Sequence, residues 1–210
     1  MNTRKTEKTT NSRLFDKGIL PVAVATAMFG AGVVSAADQF ISSAETITDL
    51  TSSYNATTNY LINANGTLST NSSMTVFYGT IDGQGNIPPG GSVVVGGNLT
   101  MHGNVGGSNS TASFTVGSGG NTLNLASNMS TFNSDNLTIN ANSTVNLGNS
   151  TSINRGSSEA LAFSSNVSMF HGSTINIGNG VTLDGAIYGH TDGVGTLVIH
   201  GNVTSGGVIG

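Results

Sequence analysis

The sequence predicts an all-β chain: a right-handed parallel β-helix (β-solenoid) following an N-terminal signal peptide. Three observations predict the solenoid. Apolar residues come in short alternating runs, Gly and Asn separate the runs, and near-identical strand cassettes recur along the chain. Alternation with a period of two puts the apolar residues of each run on one side of a strand. Gly and Asn admit the positive φ values that sharp corners need. Self-similarity at a spacing of a few tens of positions is the mark of stacked units sharing one core.

The first element is the leader, residues 1–37. Arg4, Lys5, Lys8, Arg13 and Lys17 precede an apolar stretch from Ile19 to Val34, which closes on Ser35, Ala36 and Ala37. Basic, then apolar, then small is the order of a secretory signal peptide, with cleavage expected after Ala36 or Ala37. Pro21 and the small residues Gly30, Ala31 and Gly32 suit a permanent bilayer span poorly. The alternatives are an amphiphilic helix or an uncleaved anchor.

Residues 38–66 are less periodic and read as an N-terminal cap or linker, with Ala44 to Leu50 as a short helix or a capping element. A solenoid end needs a cap because open sheet edges invite pairing. Pro88-Pro89-Gly90-Gly91 reads as a turn or an inserted loop.

Residues 67–210 carry the repeat. The apolar pairs are Val93 and Val95, Phe114 and Val116, Leu123 and Leu125, Leu137 and Ile139, and Val145 and Leu147. They continue with Ile175 and Ile177, Val181 and Leu183, then Leu197 and Ile199. Five cassettes begin at Ser92, Thr122, Thr144, Thr174 and Thr196, and the intervals between them alternate between one longer and one shorter value. Two further echoes pair Asn128–Phe132 with Asn166–Phe170 and Tyr78–Gly85 with Tyr188–Gly195. One such strand buries too little to fold alone; stacking joins the pairs into a continuous column, and Asn inside the strands can form side-chain ladders. The alternatives are an irregular β-sandwich, which does not predict near-identical cassettes, and a partly disordered fragment. The strand cassette runs directly into Gly210 without an evident cap, as expected of a solenoid truncated at the C-terminus.

Charge excludes some partners. Residues 38–210 hold one basic residue, Arg155, against eight acidic ones, a formal charge of −7. Nucleic acid and polybasic membrane recognition both need positive surface, so neither is expected. The chain has no cysteine and no tryptophan, and stability must come from stacking rather than disulfides.

Chemistry-bearing constellations are sparse, and no catalytic, cofactor-binding or metal-ligating residue is assigned. His102, His171, His190 and His200 show no metal-site spacing, although His190 and His200 could approach each other across neighbouring coils. No Gly-x-Ser-x-Gly elbow places a nucleophile. Asp82 and Asp192 fall in similar Asp-Gly-x-Gly segments, read as turns, and Asp184 precedes Gly185. Asp184 and Asp192, beside Tyr188, form the one plausible acid pair for polysaccharide chemistry, which would need carboxylates about 5–10 Å apart. Gly117-Ser-Gly-Gly120 opens no helix and is not a phosphate loop. Asn-x-Ser/Thr triplets at Asn98, Asn128, Asn136, Asn142, Asn166 and Asn202 are what the composition generates unaided.

The combination resembles the passenger region of bacterial autotransporters, of the type found in rickettsial outer-membrane surface antigens. The residues that carry the resemblance are Val33-Val-Ser-Ala-Ala37, Ile81-Asp-Gly-Gln-Gly85, Thr144-Val-Asn-Leu-Gly148, Thr174-Ile-Asn-Ile-Gly178 and Gly195-Thr-Leu-Val-Ile-His-Gly-Asn-Val203. The resemblance spans most of residues 67–210 and implies a secreted or outer-surface protein engaged in adhesion or host-cell contact. A host-cell surface protein or glycan would be its partner, and no cofactor is implied. It also implies an outer-membrane translocator barrel, which this sequence does not contain. Two other readings stand beside it: a polysaccharide-active β-helix enzyme, and a nonfunctional fragment of a longer autotransporter.

Overall fold

A computed structural model describes residues 38–47, 58–84, 90–117, 119–147, 161–190 and 195–210. The leader, the Pro88-Pro89 turn, Arg155 and Asp192 lie outside them. All the described residues belong to one unit, Val34–Gly210.

The chain visits the same three faces in the same order on every coil. The first described coil gives β1 (Asp38–Ile41) to the first face and β2 (Ala44–Ile47) to the second. The next adds β3 (Asn59–Ile62), β4 (Thr67–Thr70) and, on the third face, β5 (Val76–Phe77). β6 (Thr80–Gly83), β7 (Gly90–Val95) and β8 (Leu99–Met101) make the third coil. In the fourth, Val105 alone bridges on the first face, followed by β9 (Thr111–Val116) and β10 (Thr122–Leu125). β11 (Thr131–Ile139) runs through the first and second faces before β12 (Thr144–Leu147), and β13 (Leu161–Met169) does the same before β14 (Thr174–Ile177). β15 (Val181–Asp184), β16 (Ile187–Gly189) and β17 (Thr196–Ile199) follow, and β18 (Val203–Ser205) starts another coil.

This is a parallel β-solenoid of about six turns, with no helix among the described residues. Leu161 pairs with Val181 on the next coil, whereas Thr131 pairs with the more distant Ala162, so coil length varies while register holds. Backbone hydrogen bonds cross from coil to coil, as from Gly117 N–H to the Val95 carbonyl at 2.8 Å.

Alternation fills the interior. The apolar pairs from Val93/Val95 to Val181/Leu183 are all buried. Phe114, Phe132 and Phe163 form an internal aromatic stack, with centroids 5.1 and 5.2 Å apart. That distance is close to the roughly 4.8 Å between paired strands. On the outer side of the third face, Asn146 Nδ2 donates to Asn124 Oδ1 and Asn176 Nδ2 to Asn146 Oδ1, each at 2.7 Å. The amide ladder expected from the cassettes is therefore formed. The corner leading into that face also follows its composition: Gly120, Asn142 and Gly172 stand at equivalent places with φ of +85°, +59° and +68°. Gly and Asn are the residues that adopt this conformation most readily.

Several expectations need correcting. Of the Ala44 to Leu50 segment, Ala44–Ile47 is a strand paired with β4, not a helix, and residues 48–50 lie outside the described residues; Thr46 and Ile47 are β-branched and suit a pleated ladder. Gly90 and Gly91 lie within β7 rather than in a loop. The cassettes at Thr122, Thr144, Thr174 and Thr196 do share one column. Ser92 belongs to the second face, whereas β10 pairs with β8 on the third, so the interval from Ser92 to Thr122 joined two different faces. The echo of Phe132 with Phe170 fails likewise, since Phe132 pairs with Phe163. Tyr78 precedes the first face and Tyr188 lies on the second, so they are not equivalent.

Candidate functional site: a polar groove at one corner

Two acids, Asp135 and Asp184, share a polar corner between the first and second faces. On β11, Asn133 pairs with Ser164 and Asn136 with Asn166, leaving Ser134 and Asp135 opposite the single residue Ser165. This two-against-one count is a β-bulge, which bends the strand and re-aims its side chains. Ser134 turns inward and donates to the Asn136 carbonyl at 3.1 Å. Asp135 and Asn136 are both left exposed.

The result is an open groove of about 450 Å³ across three coils. Asn133, Ser134, Asp135 and Asn136 line it from β11, Ser164, Ser165 and Asn166 from β13, and Asp184 and Gly185 from the next coil. Gly185 has φ of +140°, and a Cβ there would run into the Ser165 carbonyl oxygen, so only glycine lets the coils close up below Asp184. With three coils in succession, Asp135 and Asp184 stand two rungs apart, about 10 Å along the stack.

Hydrogen bonding fixes part of this lining. Ser110 Oγ donates to Asp135 Oδ1 at 2.9 Å, Asn136 Nδ2 donates to the Ala112 carbonyl at 3.3 Å, and Asn166 Oδ1 accepts from Ala186 N–H at 3.3 Å. Asp184 is exposed and makes no side-chain hydrogen bond among the described residues. Ser165 is only 5% exposed, and its hydroxyl has no partner among them.

The sequence-derived candidates fall in different places. Asp82 lies in β6, not in a turn, and its carboxylate accepts the Ser108 N–H at 2.9 Å, tying down the connection that precedes β9. Following register through Ile81, Val105, Phe132, Phe163 and Leu183 puts Asp82 and Asp184 in one column, four coils apart. The pairing of Asp184 with Asp192 lies outside the described residues. Tyr188 is exposed on the second face and does not line the groove. His190 follows β16 and His200 follows β17 in the same coil, which overturns their approach across neighbouring coils. His190 instead stacks on Phe170 at 4.0 Å. His102 stacks on Tyr78 at 4.7 Å, and its Nδ1 lies 3.0 Å from Asn128 Oδ1. His171 is exposed in the turn before β14. Among the described residues, no three His, Cys, Asp or Glu side chains converge as a metal site would require.

Asp135 was not singled out in the sequence, because it stands far from Asp184 along the chain. The signal that could have found it is the alignment of Phe132, Phe163 and Leu183 as one column, which carries Asp135 and Asp184 to the same corner. No protein-family model matches the chain, and neither a curated protein nor a solved structure is significantly similar to it.

Proposed function

We propose that the chain is a surface-exposed or secreted, noncatalytic passenger-type protein whose solenoid presents polar columns for adhesion or host-cell contact. The observation that carries this reading is the register of the outer side chains. Thr122, Thr144, Thr174 and Thr196 fall in one column on the third face, beside the Asn124–Asn146–Asn176 ladder. Such a surface offers the same hydrogen-bonding groups rung after rung at nearly fixed spacing. Recognition then sums many weak contacts over several coils rather than resting on one residue. The leader, basic then apolar then small, supports export.

Two measurements test it. Purified protein is applied to cultured host cells and retention is quantified; saturable binding is expected, and binding no greater than to a net-charge-matched control protein sinks the reading. N-terminal sequencing of the exported product should begin at Ala37 or Asp38; an intact Met1 end in the exported protein removes the signal peptide from the argument.

A second reading, a polysaccharide-active enzyme, is favoured by one observation: Asp135 and Asp184 face the same groove. Their separation along the stack, about 10 Å, lies just above the roughly 6.5–9.5 Å of carboxylates that act across a water. Release of reducing ends from a neutral polysaccharide, lost in Asp184→Asn, would establish it in place of the first.

A further inference from the structure

We infer that the corner groove is a saccharide-binding site that takes a short stretch of a neutral polysaccharide lying along the stack. The inference rests on the surface-contact reading above for its biological setting and names the ligand class of that contact. Five observations lead to it.

The groove's volume of about 450 Å³ falls within the range of roughly 300–1,000 Å³ found for small-ligand sites. It is far larger than a single ion needs, since calcium gathers its oxygens at about 2.3–2.6 Å. The lining sets the chemistry. Small-ligand sites are mostly apolar with a few polar groups, whereas every side chain here is Asn, Ser or Asp. A ligand gains little by burying hydrocarbon in such a groove and must instead exchange hydrogen bonds along its length. A polyhydroxylated ligand does so.

Hydrogen-bonding capacity is left over after the protein's own contacts. Asp135 has one oxygen engaged by Ser110, while Asp184 has no side-chain partner among the described residues. Carboxylates accept strongly from sugar hydroxyls, because charge-assisted hydrogen bonds are roughly twice as strong as neutral ones. Asn136 and Asn166 are each held through one atom of the amide by the neighbouring coil, which fixes the direction in which the other faces.

Charge selects among saccharides. Among the described residues, two carboxylates and no basic side chain line the groove, so uronic and sialic acids meet like charge and are disfavoured. The length is also matched: three rungs cover about 10 Å, the scale of a short oligosaccharide rather than a single sugar.

The test uses the full chain on an array of neutral, acidic and amino-bearing oligosaccharides, followed by calorimetric titration with the best neutral one. Asp135→Asn and Asp184→Asn are near-isosteric changes at exposed positions, and Glu45→Gln serves as a charge control on β2. Binding of a neutral oligosaccharide is expected, weakened at least about tenfold by each groove variant and unchanged by Glu45→Gln. The inference is overturned if no neutral oligosaccharide binds, if acidic ones bind better, if both groove variants bind like the parent, or if calcium alone gives the heat signal. Cell attachment that survives in groove variants lacking sugar binding would also overturn it, leaving the wider surface reading intact. Sugar binding without any cell attachment would do the reverse.

Discussion

β14 and β17 are neighbours on the third face with matched register, yet their apolar residues meet different surroundings. Ile177 is fully buried, whereas its partner Ile199 is 51% exposed; Ile175 is fully buried, whereas Leu197 is only partly so. The residues are similar in size and share the same alternation. What differs is the ladder around them: β14 has β12 on one side and β17 on the other, and among the described residues β17 is paired with β14 alone. Burial in this molecule therefore belongs to the space between coils rather than to the strand. A rung gives its neighbours as much cover as it receives, which is the nearest-neighbour behaviour of stacked repeats.

Substitutions that remove cover from one rung at a time test this dependence, with stability read from urea unfolding. The largest effect is expected for Phe132→Ala, which opens a cavity between Phe114 and Phe163 and should cost about 3–5 kcal/mol. Next, Ile175→Ala should cost about 2–5 kcal/mol, and Leu197→Ala less than half of whatever Ile175→Ala costs. Equal losses at the two sites would mean that one-sided cover is enough, and the comparison would fail. Asn146→Ala removes the middle of the amide ladder and leaves both neighbours short of a partner, at about 1–3 kcal/mol. Asn176→Ala, which breaks one ladder bond, should fall below it. The smallest change is Thr196→Ala on the outer side of β17, expected within about 0.5 kcal/mol of the parent. A larger loss there would show that the Thr column stabilises the stack and is not only a surface.

Much of the fold was legible in the sequence because a stacked repeat writes itself in local patterns. The alternating pairs mark inward residues, and Thr-x-Asn at Thr122, Thr144 and Thr174 marks one face. Which face a cassette occupies was harder to see. Ser92-Val-Val-Val-Gly has the same alternation as the third-face strands because alternation records inside and outside, not position around the coil. Unequal coil lengths, short from Leu161 to Val181 and long from Thr131 to Ala162, then let false echoes such as Phe132 with Phe170 arise. The groove was least legible. It depends on a bulge, an extra residue in one strand of a pair, and no single strand shows that it has one more residue than its neighbour. Asp184 drew notice through its glycine, but Asp135 has no local mark.

The reduction of the first face to Val105 in the fourth coil has a mechanical consequence. Backbone hydrogen bonds between coils point along the stack, so a pull on its two ends loads the interfaces in series, each carrying the whole force. Such a column yields at its thinnest junction. Where the neighbouring coils present strands to the first face, here a lone residue bridges to Ile81 on one side and Phe132 on the other. At this joint the first face is held by two single bridges, so the pairings of β9 and β10 on the other two faces carry the load.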